Sequence, residues 1–114
     1  MGKEAFRLKT LQNEHIVNYI EHFDTDGFII IMELCEFGDL DNQINLMKEK
    51  GSHFAEAEIL VCLGQVCKAL VKSHGFEVIH GDIKPQNLFV KKDNTIKVGD
   101  FGVALIASAF QTQK

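Results

Sequence analysis

At 114 residues the chain can build one small domain with a real core, but not two. Its 46% apolar and 25% charged residues are the balance of a globular, water-soluble protein. A net charge of −4 without clustered Lys and Arg excludes a nucleic-acid footprint, so no nucleic-acid partner is expected. Phe6, Leu8 and Leu11 stand at helical spacing, and a helix over residues 3–12 opens the chain without an N-cap. Two strands follow, over 17–23 and 28–34, joined by Asp24-Thr25-Asp26-Gly27. That tetrad resembles the start of a calcium loop. An EF-hand, however, needs its Gly at the sixth position and helices on both sides, so the tetrad reads as a hairpin turn.

Gly38-Asp39 breaks the pattern, and Asp39 is placed to cap a short helix running to about Lys50 and ended by Gly51. A long amphipathic helix is expected over 55–74. Its Ile59, Leu63, Val66, Cys67, Leu70 and Val71 recur at three- and four-residue steps, and Gly75 stops it. Short apolar strands follow at 78–79, 88–90 and 96–98, with Asp93-Asn94 turning the last pair. The order of helix, two strands, two helices and three short strands is an α+β pattern.

The three cysteines include no C-x-x-C and are odd in number, which argues against a disulfide framework. Cys62 and Cys67 lie in an apolar helical stretch, and each of the two reads as a small buried hydrophobe. The five histidines show no metal spacing. A reducing intracellular setting, cytoplasmic or nuclear, fits best. The longest apolar runs, 28–32 and 103–107, are far too short to span a bilayer, so no membrane partner is expected. Met1-Gly2 suggests myristoylation, but Phe6 stands where that motif wants Ser or Thr. Lys91-Lys92 reads as a solvated turn.

The chemistry concentrates in HGDIKPQN, residues 80–87. Pro85 lacks a backbone donor and keeps Lys84 out of the helical region, so the segment is a loop between two strands. Asp82 can take a proton from a hydroxyl. Lys84 can neutralise a phosphate, and Asn87 can ligate a cation through its amide oxygen. A metal-bound phosphoryl donor explains all three. The second acid such a metal needs is Asp100, in Asp100-Phe101-Gly102, 18 residues beyond Asp82. The hairpin between them would return it to the side of Asn87.

This pair of motifs, in this strand context, resembles the signature of eukaryotic protein kinases. The resemblance implies a partial protein kinase-like fold. It implies transfer of the γ-phosphoryl group of ATP to a Ser or Thr hydroxyl of a protein substrate, with ATP and Mg2+ as cofactors. Asp82 would be the base, Lys84 the charge stabiliser, and Asn87 with Asp100 the magnesium ligands. Met32-Glu33-Leu34-Cys35 resembles the hinge. Met32 would be the gatekeeper, and the Glu33 carbonyl and Cys35 amide would meet the adenine edge. Asp39 falls where kinases touch the ribose, and Phe89 would floor the base. Plain core packing is the alternative for Met32 and Phe89. The opening helix is similar to the end of kinase helix C, with Glu4 as its ion-pairing acid. Leu8, Tyr19, His80 and Phe101 would form the stacked regulatory spine. Lys84 marks the serine/threonine type. IKPQNLF, KVGDFG and CEFGDL resemble the NIMA-related kinases.

On this resemblance, residues 1–34 are a small-lobe remnant, and 35–114 are the hinge and the first part of the large lobe. A Gly-rich loop and its strand lysine would precede Glu4, and an A-P-E motif would follow; the sequence holds none of these. The chain alone is therefore expected to turn over little or no substrate. It should be marginally stable and associate non-specifically through apolar surface. Gly81 replaces the Arg that pairs with a phosphorylated activation loop, so switching by that phosphate should be weak, and the loop gains backbone freedom. Gly81 and the missing lysine keep open a second reading, a truncated pseudokinase serving as a binding or scaffold module. The intact Asp82, Asn87 and Asp100 speak for the enzyme.

Overall fold

The computed structural model describes residues 9–101 and the backbone of 105 and 106. Lys9 and Thr10 are helical; Glu4 and Leu8, in the rest of the expected opening helix, lie outside the described residues. Strands β1 (Tyr19–Asp24) and β2 (Phe28–Met32) form an antiparallel hairpin in which Asp24 faces Phe28. Left-handed backbone at Asp26 (φ 43°) and Gly27 (φ 120°) makes the turn. Both strands are shorter than their apolar runs suggested. Ile16 bridges Val98 in parallel, and the Val17 amide donates to the Val98 carbonyl at 3.0 Å. Both side chains are buried, so their hydrophobicity serves the larger body and not the hairpin.

Helix α1 (Leu40–Glu49) starts as expected: Asp39 Oδ1 accepts from the Asn42 amide at 2.8 Å. Helix α2 (Glu56–Gly75) begins where the Ala55 amide donates to Glu58 Oε1 at 3.0 Å. Gly75 is its last residue and not its left-handed stop; Glu77, at φ 60°, makes that turn. Only Val66, Ala69 and Ser73 of α2 are buried, with Cys62 and Leu70 packed at the margin. Ile59, Leu63 and Val71, expected on the apolar stripe, are exposed, as are Leu60 and Val61. The reading of Cys62 and Cys67 as buried hydrophobes is corrected too. Cys67 is exposed and Cys62 half-buried at the core margin.

After α2 come β3 (Val78–Ile79), a 3₁₀ turn (Pro85–Asn87), β4 (Leu88–Val90) and β5 (Ile96–Val98). Strand β6 (Leu105–Ile106) pairs antiparallel with β3, a partnership the sequence reading did not contain. Strands β4 and β5 pair antiparallel, Leu88 with Val98, Phe89 with Lys97 and Val90 with Ile96. Period-two alternation sends Leu88, Val90, Ile96 and Val98 to one face, where they meet Val66 and Ala69 of α2 in the core. Phe89 and Lys97 share the opposite face. No described helix is long and apolar enough to cross a membrane.

Candidate active site

The loop between β3 and the 3₁₀ turn carries residues 80–84 of HGDIKPQN, and the turn carries the rest. Lys84 is extended (φ −162°), as the following Pro85 requires, and Pro85 opens the turn where its missing amide is not needed. The turn delivers Asn87, only 5% exposed, back towards Asp82. Asn87 Nδ2 donates to the Asp82 carbonyl at 2.8 Å and to Asp82 Oδ2 at 3.1 Å. Lys84 Nζ stands 3.5 Å from Asp82 Oδ1, with both side chains partly in solvent. Such an exposed pair contributes little to stability. Gly81 has φ 85°, a conformation that costs a residue with a Cβ roughly 1–2 kcal/mol. The glycine expected to loosen the loop therefore suits the left-handed corner immediately before Asp82.

His80 joins this loop to the second motif. Its Nδ1 accepts from the Asp82 amide at 3.0 Å, so Nε2 carries the proton and donates to the Gly99 carbonyl at 2.7 Å. The ring meets Phe101 edge-on, centroids 4.5 Å apart, and both side chains are buried. Of the expected spine, Tyr19 packs at the core margin. The Gly99 amide donates to the Asn87 carbonyl at 2.9 Å. The main chains carrying Asn87 and Asp100 are thus tied side by side. Asp100 itself is left-handed (φ 54°), an uncommon state for a non-glycine and one that concentrates at functional sites.

Gly99 is needed for a different reason, close approach. A Cβ there would lie 2.7 Å from Phe89 Cε2, 3.0 Å from Phe89 Cδ2 and 3.2 Å from Val17 Cγ2. Gly99→Ala should therefore displace the Phe89 ring and cost about 1–3 kcal/mol by overpacking. Chemical denaturation of the two proteins measures it, and equal midpoints would show that the ring has room to yield.

The residues expected to form the hinge run from Met32, the last of β2, towards α1. Met32 is 39% exposed and Phe89 half-buried, and neither joins the buried core. That weighs against plain core packing as the whole role of either. The chain from 37 to 39 runs along β4: the Phe37 amide donates to the Val90 carbonyl at 3.0 Å, the Val90 amide to the Gly38 carbonyl at 2.8 Å, and Asp39 bridges Phe89. This places Asp39 beside the Phe89 ring strand. Among the described residues no backbone hydrogen bond occupies the Glu33 carbonyl or the Cys35 amide.

One cluster escaped the sequence reading. Lys97 Nζ lies 2.7 Å from Glu33 Oε1 and Lys91 Nζ 3.3 Å from Glu33 Oε2, while the Asn18 amide donates to Oε1 at 2.7 Å. Lys91 is thus more than a solvated turn residue. Burial by itself would raise the Glu33 pKa. The Lys97 bond, the Asn18 amide, the Lys97 charge and Lys91 together outweigh it and hold the carboxyl below its usual range. Burial, and then the Glu33 carboxylate, push the Cys35 thiol up, so Cys35 is no ready nucleophile. A lysine in the middle of an apolar strand, Ile96-Lys97-Val98, was the available signal.

No group of three or more His, Cys, Asp or Glu among the described residues could hold a metal ion. The Asn87 amide oxygen and the Asp100 carboxylate are hard oxygen donors. They suit a magnesium ion that takes its other ligands from phosphates and water.

The family model for the protein kinase domain matches residues 1–113. The serine/threonine-protein kinase Nek1 of Mus musculus is 40% identical over 108 residues, which cover 94% of this chain and 9% of that protein. Mouse Nek3 is 37% identical over 108 residues, 94% of this chain and 21% of that protein. Nek5 of Homo sapiens is 36% identical over 106 residues, 91% of this chain and 15% of that protein. The chain thus spans between about a tenth and a fifth of the length of these relatives.

Proposed function

The chain belongs to the protein kinase domain family, and from that premise we propose that it carries the catalytic loop, hinge and metal-binding segment of a serine/threonine kinase that transfers the ATP γ-phosphoryl group to a protein hydroxyl. We assign 1–34 to the small lobe and 35–114 to the hinge and the start of the large lobe. Three cysteines without disulfides support an intracellular setting.

The observation that carries the reading is the three-point junction at Asp82. Asn87 holds its carbonyl and Oδ2, Lys84 faces Oδ1, and His80 holds its amide. A carboxylate met at both oxygens, on a main chain held at its amide and carbonyl, is a base aimed before substrate arrives, which lowers the cost of orientation in the transition state. Asp82 accepts the proton of the attacking Ser or Thr hydroxyl. Lys84 supports the charge spread over the equatorial phosphoryl oxygens. Because Asn87 spends its Nδ2 on Asp82, its Oδ1 is the atom left to serve a cation, with Asp100 as the second ligand. Magnesium bound there would neutralise phosphate charge. The Glu33 carbonyl and Cys35 amide take the adenine edge between Met32 and Phe89. Asp39, whose Oδ1 caps α1, offers Oδ2 to the ribose.

The test is transfer of radiolabel from [γ-32P]ATP to a generic basic protein, in the longest form of the protein that carries these residues. Label on Ser or Thr that needs Mg2+ is expected. Absence of both transfer and ATP binding would favour the scaffold reading, for which Gly81 speaks.

A further inference from the structure

We infer that Lys97 is a positioning residue for adenine recognition: through Glu33 it fixes the hinge peptide whose carbonyl and neighbouring amide meet the base. The inference rests on the kinase reading above and extends it to a residue outside the signature motifs. Lys97 lies in β5, paired across the sheet with Phe89, and both project to the face that looks towards the hinge. Its side chain is only 7% exposed and that of Glu33 only 14%.

A buried ion pair is weak evidence of stabilisation, because desolvation offsets the attraction and well-packed apolar residues often do as well. Beside Phe89, a Met or Leu at position 97 would fill the same face without that cost. What the pair adds is geometry. The Glu33 amide donates to the Asn18 carbonyl at 2.9 Å, and the Asn18 amide donates back to Glu33 Oε1 at 2.7 Å. Lys97 seizes that same Oε1. Main chain and side chain of Glu33 are therefore anchored at separate points, which fixes the direction of its carbonyl. Lys91 is no substitute, since it reaches the other oxygen from a more exposed position at 3.3 Å.

Dissociation constants of adenosine, ATP and inorganic tripolyphosphate separate the base end of the site from its phosphate end. They are to be measured by calorimetry on the longest form of the protein carrying these residues, with thermal melts to confirm folding. Lys97→Met should weaken adenosine and ATP by the same factor, about tenfold, the scale of one charge-assisted hydrogen bond. Tripolyphosphate should be unaffected, and Lys97→Arg should recover most of the loss. Glu33→Gln, nearly isosteric, should weaken adenosine several-fold in the same selective way, and it decides the matter if Lys97→Met does not fold. Adenosine binding within twofold of the parent in Glu33→Gln and in folded Lys97→Met overturns the inference alone, as does equal weakening of all three ligands. Failure of the parent protein to bind adenosine or ATP overturns the kinase reading, and this inference with it.

Discussion

Asp82→Asn should lower the rate of phosphoryl transfer by about 10²–10⁴-fold, the range that a positioned general base contributes. The substitution keeps shape and removes only basicity. Asn87 Nδ2 still finds the Asp82 carbonyl at 2.8 Å, since that bond is to the main chain, and a side-chain oxygen remains for the contact now 3.1 Å long. The amide at position 82 still donates to His80 Nδ1. Lys84 loses its carboxylate neighbour, but that pair is half in solvent and its loss costs little stability. Melting temperature and ATP affinity should therefore stay close to the parent while kcat falls. Single-turnover transfer in the longest form of the protein, beside ATP titration, checks the split. A drop in kcat of less than about tenfold would remove Asp82 from the role of base. A matching loss of ATP affinity would mean that the loop holds the nucleotide rather than aiming the hydroxyl.

Much of this site could be read before the fold was seen, and the reason is local. Pro85 constrains Lys84, Asp39 caps α1 by accepting from the amide three residues on, and Leu88-Phe89-Val90 is a short apolar run between turn residues. Each of these follows from side-chain chemistry within a few positions. The same holds for the turn at Asp26-Gly27 and for the length of α1. What the sequence did not disclose is set by partners far along the chain. Val17 looks like the start of a hairpin strand, yet it and its neighbour Ile16 answer to Val98. The apolar run on α2 promised a broad buried stripe, but only Val66 and Ala69 among its apolar residues find a core to enter. Lys97 reads as the polar interruption of a strand until Glu33, distant in sequence, is placed beside it. Periodicity reports which face is apolar and never reports what lies opposite.

Phe101→Ala should destabilise the protein by about 3–5 kcal/mol, the usual cost of emptying an aromatic site in a core. Phe101 is 0% exposed and heads the largest fully buried side chains, in contact with His80 across 4.5 Å. A small domain holds a margin of only about 5–15 kcal/mol, so this one change takes a large part of it. The margin here should lie towards the low end. Ile29, Leu34, Val61 and Val71 leave apolar surface in water on the hairpin, the hinge and α2, and that surface also favours non-specific association. With each kcal/mol worth about 4–8 °C in a domain of this size, the melting point should fall by more than about 10 °C. Leu34→Ala, at a side chain 76% exposed, is the control and should change stability by less than about 0.5 kcal/mol. The cavity also frees the edge of His80, whose two nitrogens hold the Asp82 amide and the Gly99 carbonyl. Transfer activity should accordingly fall further than the unfolded fraction alone explains, because the base and the metal-binding segment lose their common tie. Urea denaturation of both variants, with activity measured well below each melting point, separates the two effects. Equal destabilisation by Phe101→Ala and Leu34→Ala would mean that the core is not centred on the β4–β5 hairpin and the second motif. Activity that simply tracks the folded fraction would mean that His80 holds the loop unaided.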